Sequence, residues 1–258
     1  MNQPSSDNPV DLSIVVPALD EAERIGRALE AIRAFAAKAD YPCELIVVDD
    51  GSEDETPDIV NRFEPGPLRL RLIRNETNRG KGCAVRLGVL ASAGRFVLMC
   101  DADLSAPIDE FHQLRAWLDR GYDVAIGSRD MPGSHLDPPQ PPLRRWLAWG
   151  FRTVRRRLLL PNLRDTQCGF KCFRGDVARD IFRRAVHDGW LFDCEILGIA
   201  DRLGYRIREV GILWRSDPDS RVDVADELLT ALPALLAIRR RLRKIRGDGA
   251  IGNEHSTD

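Results

Sequence analysis

The chain has 258 residues, 43% of them hydrophobic, which is enough to build one domain around a large core. Its 38 lysines and arginines stand against 40 acids, so a formal net charge of −2 gives no global attraction to nucleic acid. No apolar run approaches the roughly 18–20 residues that a membrane span needs.

Residues 1–10 and 247–258 are polar and read as a disordered leader and tail. The leader is not a secretory signal, so the six cysteines are expected as reduced thiols in a cytosolic protein. Cys168 and Cys172 are spaced like half of a metal site, but no second pair or nearby histidine completes one.

Between the termini, strands and helices alternate. LSIVVP (12–17) is a buried strand, and the following stretch spaces Ile25, Leu29, Ile32 and Phe35 as one helix face. CELIVV (43–48) is a strand ending in Asp49-Asp50-Gly51-Ser52. A helix then starts with Thr56 as N-cap and Pro57 in its first position. LRLRLI (68–73) alternates like a strand with one exposed face, and 80–94 is helical. FVLMC (96–100) is a strand, PIDEFHQLRAWLDR a helix, and YDVAIG (122–127) a strand again. The proline-rich 131–142 reads as a loop. This rhythm predicts an α/β fold, a mostly parallel central sheet flanked by helices.

Ligands of such sheets bind beyond the carboxyl ends of the strands. Three of those ends carry notable groups: Pro17–Glu21, Asp49–Ser52 and Asp101–Ser105. If 101–103 is extended, Asp101 and Asp103 project to one side. Side by side they repel, and a divalent cation resolves the repulsion. Hard oxygen ligands suit Mg²⁺ or Mn²⁺, bound largely through a substrate phosphate. Each motif has a plainer reading alone: a turn at Asp49–Ser52, a helix start at Asp20-Glu21, a helix-initiating loop at 78–82. The absence of a G-x-G-x-x-G after a strand argues against a dinucleotide dehydrogenase.

Taken in order, VVPALDE, VVDDGSEDET, NRGKG, DADLSAP and RDTQCGFK resemble the family 2 glycosyltransferases of the GT-A fold. With WLFDCEIL (190–197) and VGILW (210–214), the likeness is to dolichyl- and polyprenyl-phosphate sugar synthases, particularly the β-glucosyltransferase branch. It covers residues 12–222. The resemblance implies a nucleotide-sugar donor, Mg²⁺ or Mn²⁺, and inversion at the anomeric carbon. It implies Pro17, Leu19, Asp20 and Glu21 around the nucleoside, Asp50 at the base or ribose, and Asp49, Gly80 and Lys81 nearby. Asp101 and Asp103 are implied as metal and ribose ligands, and Arg221 as a residue closing on the diphosphate. Leu19 stands where relatives commonly carry an aromatic, and Ser105 where some carry a metal-proximal Gln.

A phosphate monoester, with a second pKa near ~6, is already an anion at neutral pH. As acceptor it needs orientation by arginine more than deprotonation. Arg129 is the first candidate, with Arg144 or Arg145 next. Arg164 and Asp165 shape the acceptor side. Asp165 is either a base for a hydroxyl acceptor or a structural cap or partner of Arg164. Two basic blocks, within 143–160 and 228–246, accompany apolar residues and suit an anionic membrane interface, the duller reading being packing on the core or on a second subunit. The expectation is a peripheral enzyme at the inner face of the cell membrane, with residues 11–222 as the catalytic domain and 223–246 as a basic amphipathic helix. UDP-glucose and GDP-mannose both remain open as donor. Transfer to a soluble hydroxyl, a non-catalytic nucleotide-sugar binder and a homodimer are the alternatives.

Overall fold

The computed structural model describes residues 9–137, 155, 156, 158–215 and 224–245; for 224–230 only the course of the backbone is described. Seven strands form one sheet in the order β3-β2-β1-β4-β7-β5-β8. They are β1 (Leu12–Ala18), β2 (Cys43–Asp49), β3 (Arg69–Arg74), β4 (Phe96–Met99), β5 (Val124–Ser128), β7 (Lys171–Arg174) and β8 (Ile207–Gly211). β1 is parallel to β2 and β4, β2 to β3, and β5 to β8. β7 alone runs the other way, antiparallel to both β4 and β5. Lys171, Cys172 and Phe173 are buried and only Arg174 is exposed, so the strand lacks the polar alternation that marks a half-exposed one.

Helices cover the two faces. α1 (Ala22–Lys38) and α4 (Phe111–Leu118) pack Leu29, Ile32, Phe35 and Phe111 against Leu12, Ile14 and Val16 of β1. On the other face lie α3 (Lys81–Ala91), α5 (Gly175–Arg184), α6 (Phe192–Arg202) and α7 (Val224–Leu242), burying Val85, Ile181, Ile199 and Leu235 with Val15 and Val97. α7 is therefore part of the main body: Ala231, Leu235, Ile238 and Leu242 point inward, while Leu232 and Leu236 are exposed. α2 (Thr56–Arg62) completes the β2–β3 crossover. β3 and β8 form the sheet edges, and the exposed Arg69, Arg71 and Arg74 on β3 discourage edge-to-edge pairing.

Several expectations change. Val10 is buried and accepts the Arg95 N–H, so the folded chain begins before residue 11. Thr56 lies inside α2, with Glu55 at the cap position and the Asp54 carboxylate accepting the Thr56 N–H. α3 ends at Ala91, short of residue 94. The proline-rich stretch holds a strand, β6 (His135–Asp137), paired in parallel with β9 (Leu213–Arg215). Tail residues 247–258 lie outside the described residues.

β1 sends one crossover toward β2 and has β4 on its other side, so connections diverge at its carboxyl end. That divergence opens a crevice above β1 and β4, where ligands of open α/β sheets bind.

Candidate active site

The turns after β1 and β2 are laced together by side chains. Asp20 has φ +52°, a strained left-handed backbone. Its N–H donates to Ser52 Oγ (2.9 Å), and its Oδ1 accepts from Glu53 N–H (2.9 Å). Glu21 N–H donates to Thr56 Oγ1 and Ala22 N–H to Asp54 Oδ2. Asp54 thus serves the first turns of α1 and α2 together. The Glu21 side chain pairs with Arg24 at 2.6 Å. Asp50 is buried and accepts from Asn75 Nδ2 (2.6 Å), Arg79 N–H (3.1 Å) and Gly80 N–H (2.7 Å). Asp49, also buried, takes the Ser52 N–H and pairs with Arg74 at 3.0 Å. Most of the acids that the motifs single out therefore hold the rim of the crevice in shape.

The chain after β4 is a turn, not an extended strand. Leu104 has φ +46°, and Asp103 accepts the Ser105 N–H and Oγ–H, both at 2.9 Å. Asp101 and Asp103 nevertheless share one narrow crevice with Cys100, Ser105, Gly169 and Trp214. Asp103 keeps an exposed edge, yet desolvation and then the Asp101 charge raise its pKa against the pull of Ser105. Asp101 pairs with Lys81 Nζ at 2.6 Å. Lys81 opens α3 just after Gly80, whose φ of +103° brings the chain against the Asp188 carbonyl. Burial alone would lower the Lys81 pKa, but the carboxylates of Asp101, Asp193 and Asp103 outweigh it and raise it. Lys171 lies deeper, fully buried, held by Asp193 (2.6 Å) and the Cys168 carbonyl (2.5 Å). Among the described residues no three His, Cys, Asp or Glu side chains gather as a metal cage. Two hard carboxylates in one crevice still fit a divalent cation that takes its remaining ligands from a substrate and water.

On the acceptor side Arg129 forms a bidentate pair with Asp165, Nε to Oδ2 at 2.7 Å and Nη2 to Oδ1 at 2.9 Å, over the Trp214 ring. Burial alone would raise the Asp165 pKa, but the Arg129 guanidinium holds it well below the usual carboxylate range. Asp165 is thus buried and paired with Arg129 rather than Arg164, and its Oδ1 also accepts the Gln167 N–H at 3.3 Å, as the structural-cap reading expects. Arg129 in turn does not present a free fork, since two of its nitrogens are committed. Glu209 of β8 accepts the N–H groups of Arg164 (2.9 Å) and Asp165 (2.7 Å). Arg164 is exposed, with Nη1 3.4 Å from the Asp130 carbonyl. Arg155, from the first basic block, is buried and donates to the Arg164 carbonyl at 2.6 Å, so it is no part of a solvated face. Arg144, Arg145 and Arg221 lie outside the described residues, as does most of 143–160.

Sequence reasoning missed Lys171, Asp193, Glu195 and Glu209 as individual residues. For the first three the available signal was a lysine or acid inside an apolar run, FKCF and FDCEIL, because a buried charge needs a partner; the half-buried Glu209 carried no such signal. Glu195 is buried, accepts Val186 N–H (2.9 Å) and His187 N–H (2.8 Å), and pairs with Arg241 of α7 at 3.0 Å. The loop it holds reaches the crevice: Asp188 carbonyl accepts Gly82 N–H (2.7 Å), and Trp190 lies under Lys81 Nζ, 4.6 Å from its ring centroid. All six cysteines are free and buried, and burial pushes Cys168 up to about 12 and Cys43 and Cys194 up to about 11.

The strand order, with its crevice beyond β1 and β4, defines a GT-A-like α/β enzyme fold. Glucosyl-3-phosphoglycerate synthase from Mycobacterium tuberculosis, solved with UDP, superposes with a TM-score of 0.64 at 21% identity, over 91% of this chain and 80% of that one. The same synthase with Mn²⁺, UDP and glucosyl-3-phosphoglycerate gives 0.64 at 20% identity, over 89% and 80%. Residues 13–182 match Glycosyl transferase family 2. Dolichyl-phosphate beta-glucosyltransferase of Dictyostelium discoideum is 34% identical over 249 residues, 91% of this chain and 76% of that protein. The Saccharomyces cerevisiae protein of the same name is 32% identical over 257 residues, 93% and 77%. The chain belongs to glycosyltransferase family 2 and is a hexosyltransferase.

Proposed function

We propose that this chain transfers glucose from UDP-glucose to a polyprenyl phosphate of the dolichyl type, inverting the anomeric carbon. The observation that carries the reading is the Asp101–Asp103 crevice with Lys81 on its rim, at the carboxyl ends of β1 and β4. The names of the relatives support the acceptor class and the sugar. A wider hollow of about 610 Å³ lies between the turns after β2 and β3, but Glu53, Asp54, Asp58 and Glu76 line it with Arg74 as the one cation. A diphosphate would be repelled there, so the donor belongs over Asp101.

In this reading the nucleoside lies against Pro17, Leu19, Asp20 and Glu21, on the platform that Asp50 locks to the Gly80 turn and Asp49 ties to Ser52 and Arg74. Asp101 and Asp103 hold Mg²⁺ or Mn²⁺. When bound, that ion neutralises the charge growing on the leaving diphosphate. The acceptor phosphate, already anionic, forms its bond to the anomeric carbon as the bond from that carbon to the diphosphate breaks. Asp165 fixes the Arg129 fork, leaving Nη1 for the acceptor. Arg164, Arg144 and Arg145 add positive charge, and Arg221 closes on the donor. The buried, paired state of Asp165 speaks against a hydroxyl acceptor that needs this base.

Among the described residues no helix is long and apolar enough to cross a membrane. Access to a lipid acceptor is supplied by peripheral contact with an anionic bilayer at the cytoplasmic face. The outer side of α7 offers Leu232 and Leu236 beside Arg240, Arg243 and Lys244 for it.

The test is turnover with UDP-glucose and GDP-mannose, each with and without polyprenyl phosphate and with Mg²⁺ or Mn²⁺. Lipid-linked glucose, lost in Asp103→Ala, is the expected result. Product only from GDP-mannose replaces the donor, and donor hydrolysis without lipid product moves the acceptor to the soluble class.

A further inference from the structure

Two lysines lie close to the crevice, one reaching its carboxylates and one beneath it, and they are held differently. Lys171 is fully buried and committed to Asp193 and the Cys168 carbonyl. Lys81 is a fifth exposed, reaches from the first turn of α3 on a flexible stem, and makes two contacts at once: Asp101 Oδ1 at 2.6 Å and the Trp190 face, 4.6 Å to the centroid. Asp101 has less freedom. Its carboxyl lies against the Cα of Gly169, where an added Cβ would stand 1.9 Å from Oδ2. Asp103 is tied to Ser105. The carboxylates are therefore fixed, and Lys81 is the charge that can move.

A dication approaching Asp101 meets an ammonium already on the oxygen it needs. The two cations cannot share that oxygen without strong repulsion in a partly desolvated crevice. A nucleoside diphosphate arriving with the dication brings anionic oxygens that can take the ammonium within reach of the same flexible stem.

We propose that Lys81 is a resident counter-ion of Asp101 which the divalent cation displaces, its ammonium passing to the donor diphosphate, so that cation and nucleotide bind as a coupled pair. The idea rests on the metal-and-donor reading above. Coupling of this kind is reciprocal, so the nucleotide strengthens the cation by the factor that the cation strengthens the nucleotide. Lys81 suppresses cation binding while the donor is absent and assists it when the donor is present.

The experiment is Mn²⁺ titration of the full chain, followed by the electron paramagnetic resonance of free Mn²⁺, with and without UDP and, in parallel, GDP. Wild type, Lys81→Met and Lys81→Gln are compared, with Asp101→Asn as the binding-deficient control and thermal melts confirming the fold. Both Lys81 variants are expected to bind Mn²⁺ about tenfold more tightly than wild type without nucleotide, the effect of ~1.4 kcal/mol. The enhancement by UDP should shrink by a similar factor. Unchanged or weaker nucleotide-free binding in both variants overturns the proposal, as does an equal gain with and without UDP. Wild type that binds Mn²⁺ in neither state overturns the metal-and-donor reading itself, whereas binding in wild type with no effect of Lys81 overturns this inference alone.

Discussion

Asp165 shows how one residue can serve a site without entering its chemistry. Its carboxyl is 2% exposed, bonded to both Nε and Nη2 of Arg129 and also to the Arg129 N–H at 3.1 Å. Asp165→Asn keeps the shape but leaves the half-buried guanidinium without its counter-charge, so a loss of about 2–3 kcal/mol is expected in denaturant unfolding. The pH dependence follows from the direction of its shift. The folded pKa lies below the unfolded one, near 3.9, so the pair stabilises fully above about pH 5 and its contribution fades as pH falls through about 4 toward the folded value. Asp165→Asn should flatten that part of the acid unfolding curve, and an unchanged acid limb would sink the assignment. At this scale the sequence pointed to Asp101 and Asp103, because an apolar strand ending in two acids is unusual, and the structure brings both to one crevice. The pairings in and around that crevice were not readable. Lys81 is 20 positions from Asp101, Asp193 is 22 from Lys171, and Glu209 is 44 from Asp165; only tertiary packing brings them together.

Elements up to β5 were mostly legible, whereas β7, α5, α6, β8 and β9 beyond it went unassigned. α1 and the buried strands announce themselves by period and composition. β6, β7 and β9 run to only three or four residues, too short to display a period, and β6 exists because β9 pairs with it. The antiparallel sense of β7 likewise comes from where the chain re-enters the sheet, which no local pattern records. Element packing also ties α7 to the crevice. Arg241 pairs with Glu195 and donates through Nη2 to the Arg184 carbonyl at 2.5 Å; Glu195 holds the N–H groups of Val186 and His187; the Asp188 carbonyl accepts the Gly82 and Cys83 N–H groups in the first turn of α3. Arg241→Met leaves Glu195 buried without its cation. It should cost about 1 kcal/mol in denaturant unfolding, because the Arg241 end of the pair is 41% exposed and the contact is an ion pair without hydrogen-bond alignment. It should also raise the dissociation constant of UDP severalfold, because the loop under Trp190 and Gly82 loosens. A stability loss with unchanged nucleotide affinity would show that the contact is confined to the core.

For the whole molecule, the sheet divides two cores, and α7 closes the second one with half of its surface left over. Leu235, Ile238 and Leu242 turn inward, which settles the expected ambiguity of this helix in favour of packing for that face. The outward face still carries Leu232, 49% exposed, and Leu236, 39% exposed, one turn apart and followed by exposed Arg240, Arg243 and Lys244. Scattered exposed leucines need no partner, but a pair at i, i+4 running into a basic turn has the composition of an interfacial helix. Near an anionic surface each basic residue is worth ~1 kcal/mol, so the attraction should be salt-sensitive. The full chain is expected to co-sediment with vesicles containing phosphatidylglycerol, less with pure phosphatidylcholine, and less again at ~0.5 M salt, where the Debye length falls to a few ångströms. Leu232→Asp with Leu236→Asp should lower the partition coefficient at least ~10-fold, the loss of apolar insertion plus two repulsive charges. Since both positions are exposed, the melting temperature should barely move. Equal vesicle binding by this double variant would remove α7 from the membrane contact and leave that role to residues 143–160. A wild-type chain that ignores vesicles while still glucosylating a detergent-dispersed polyprenyl phosphate would mean that the acceptor's lipid is drawn to the site and not the enzyme to the membrane.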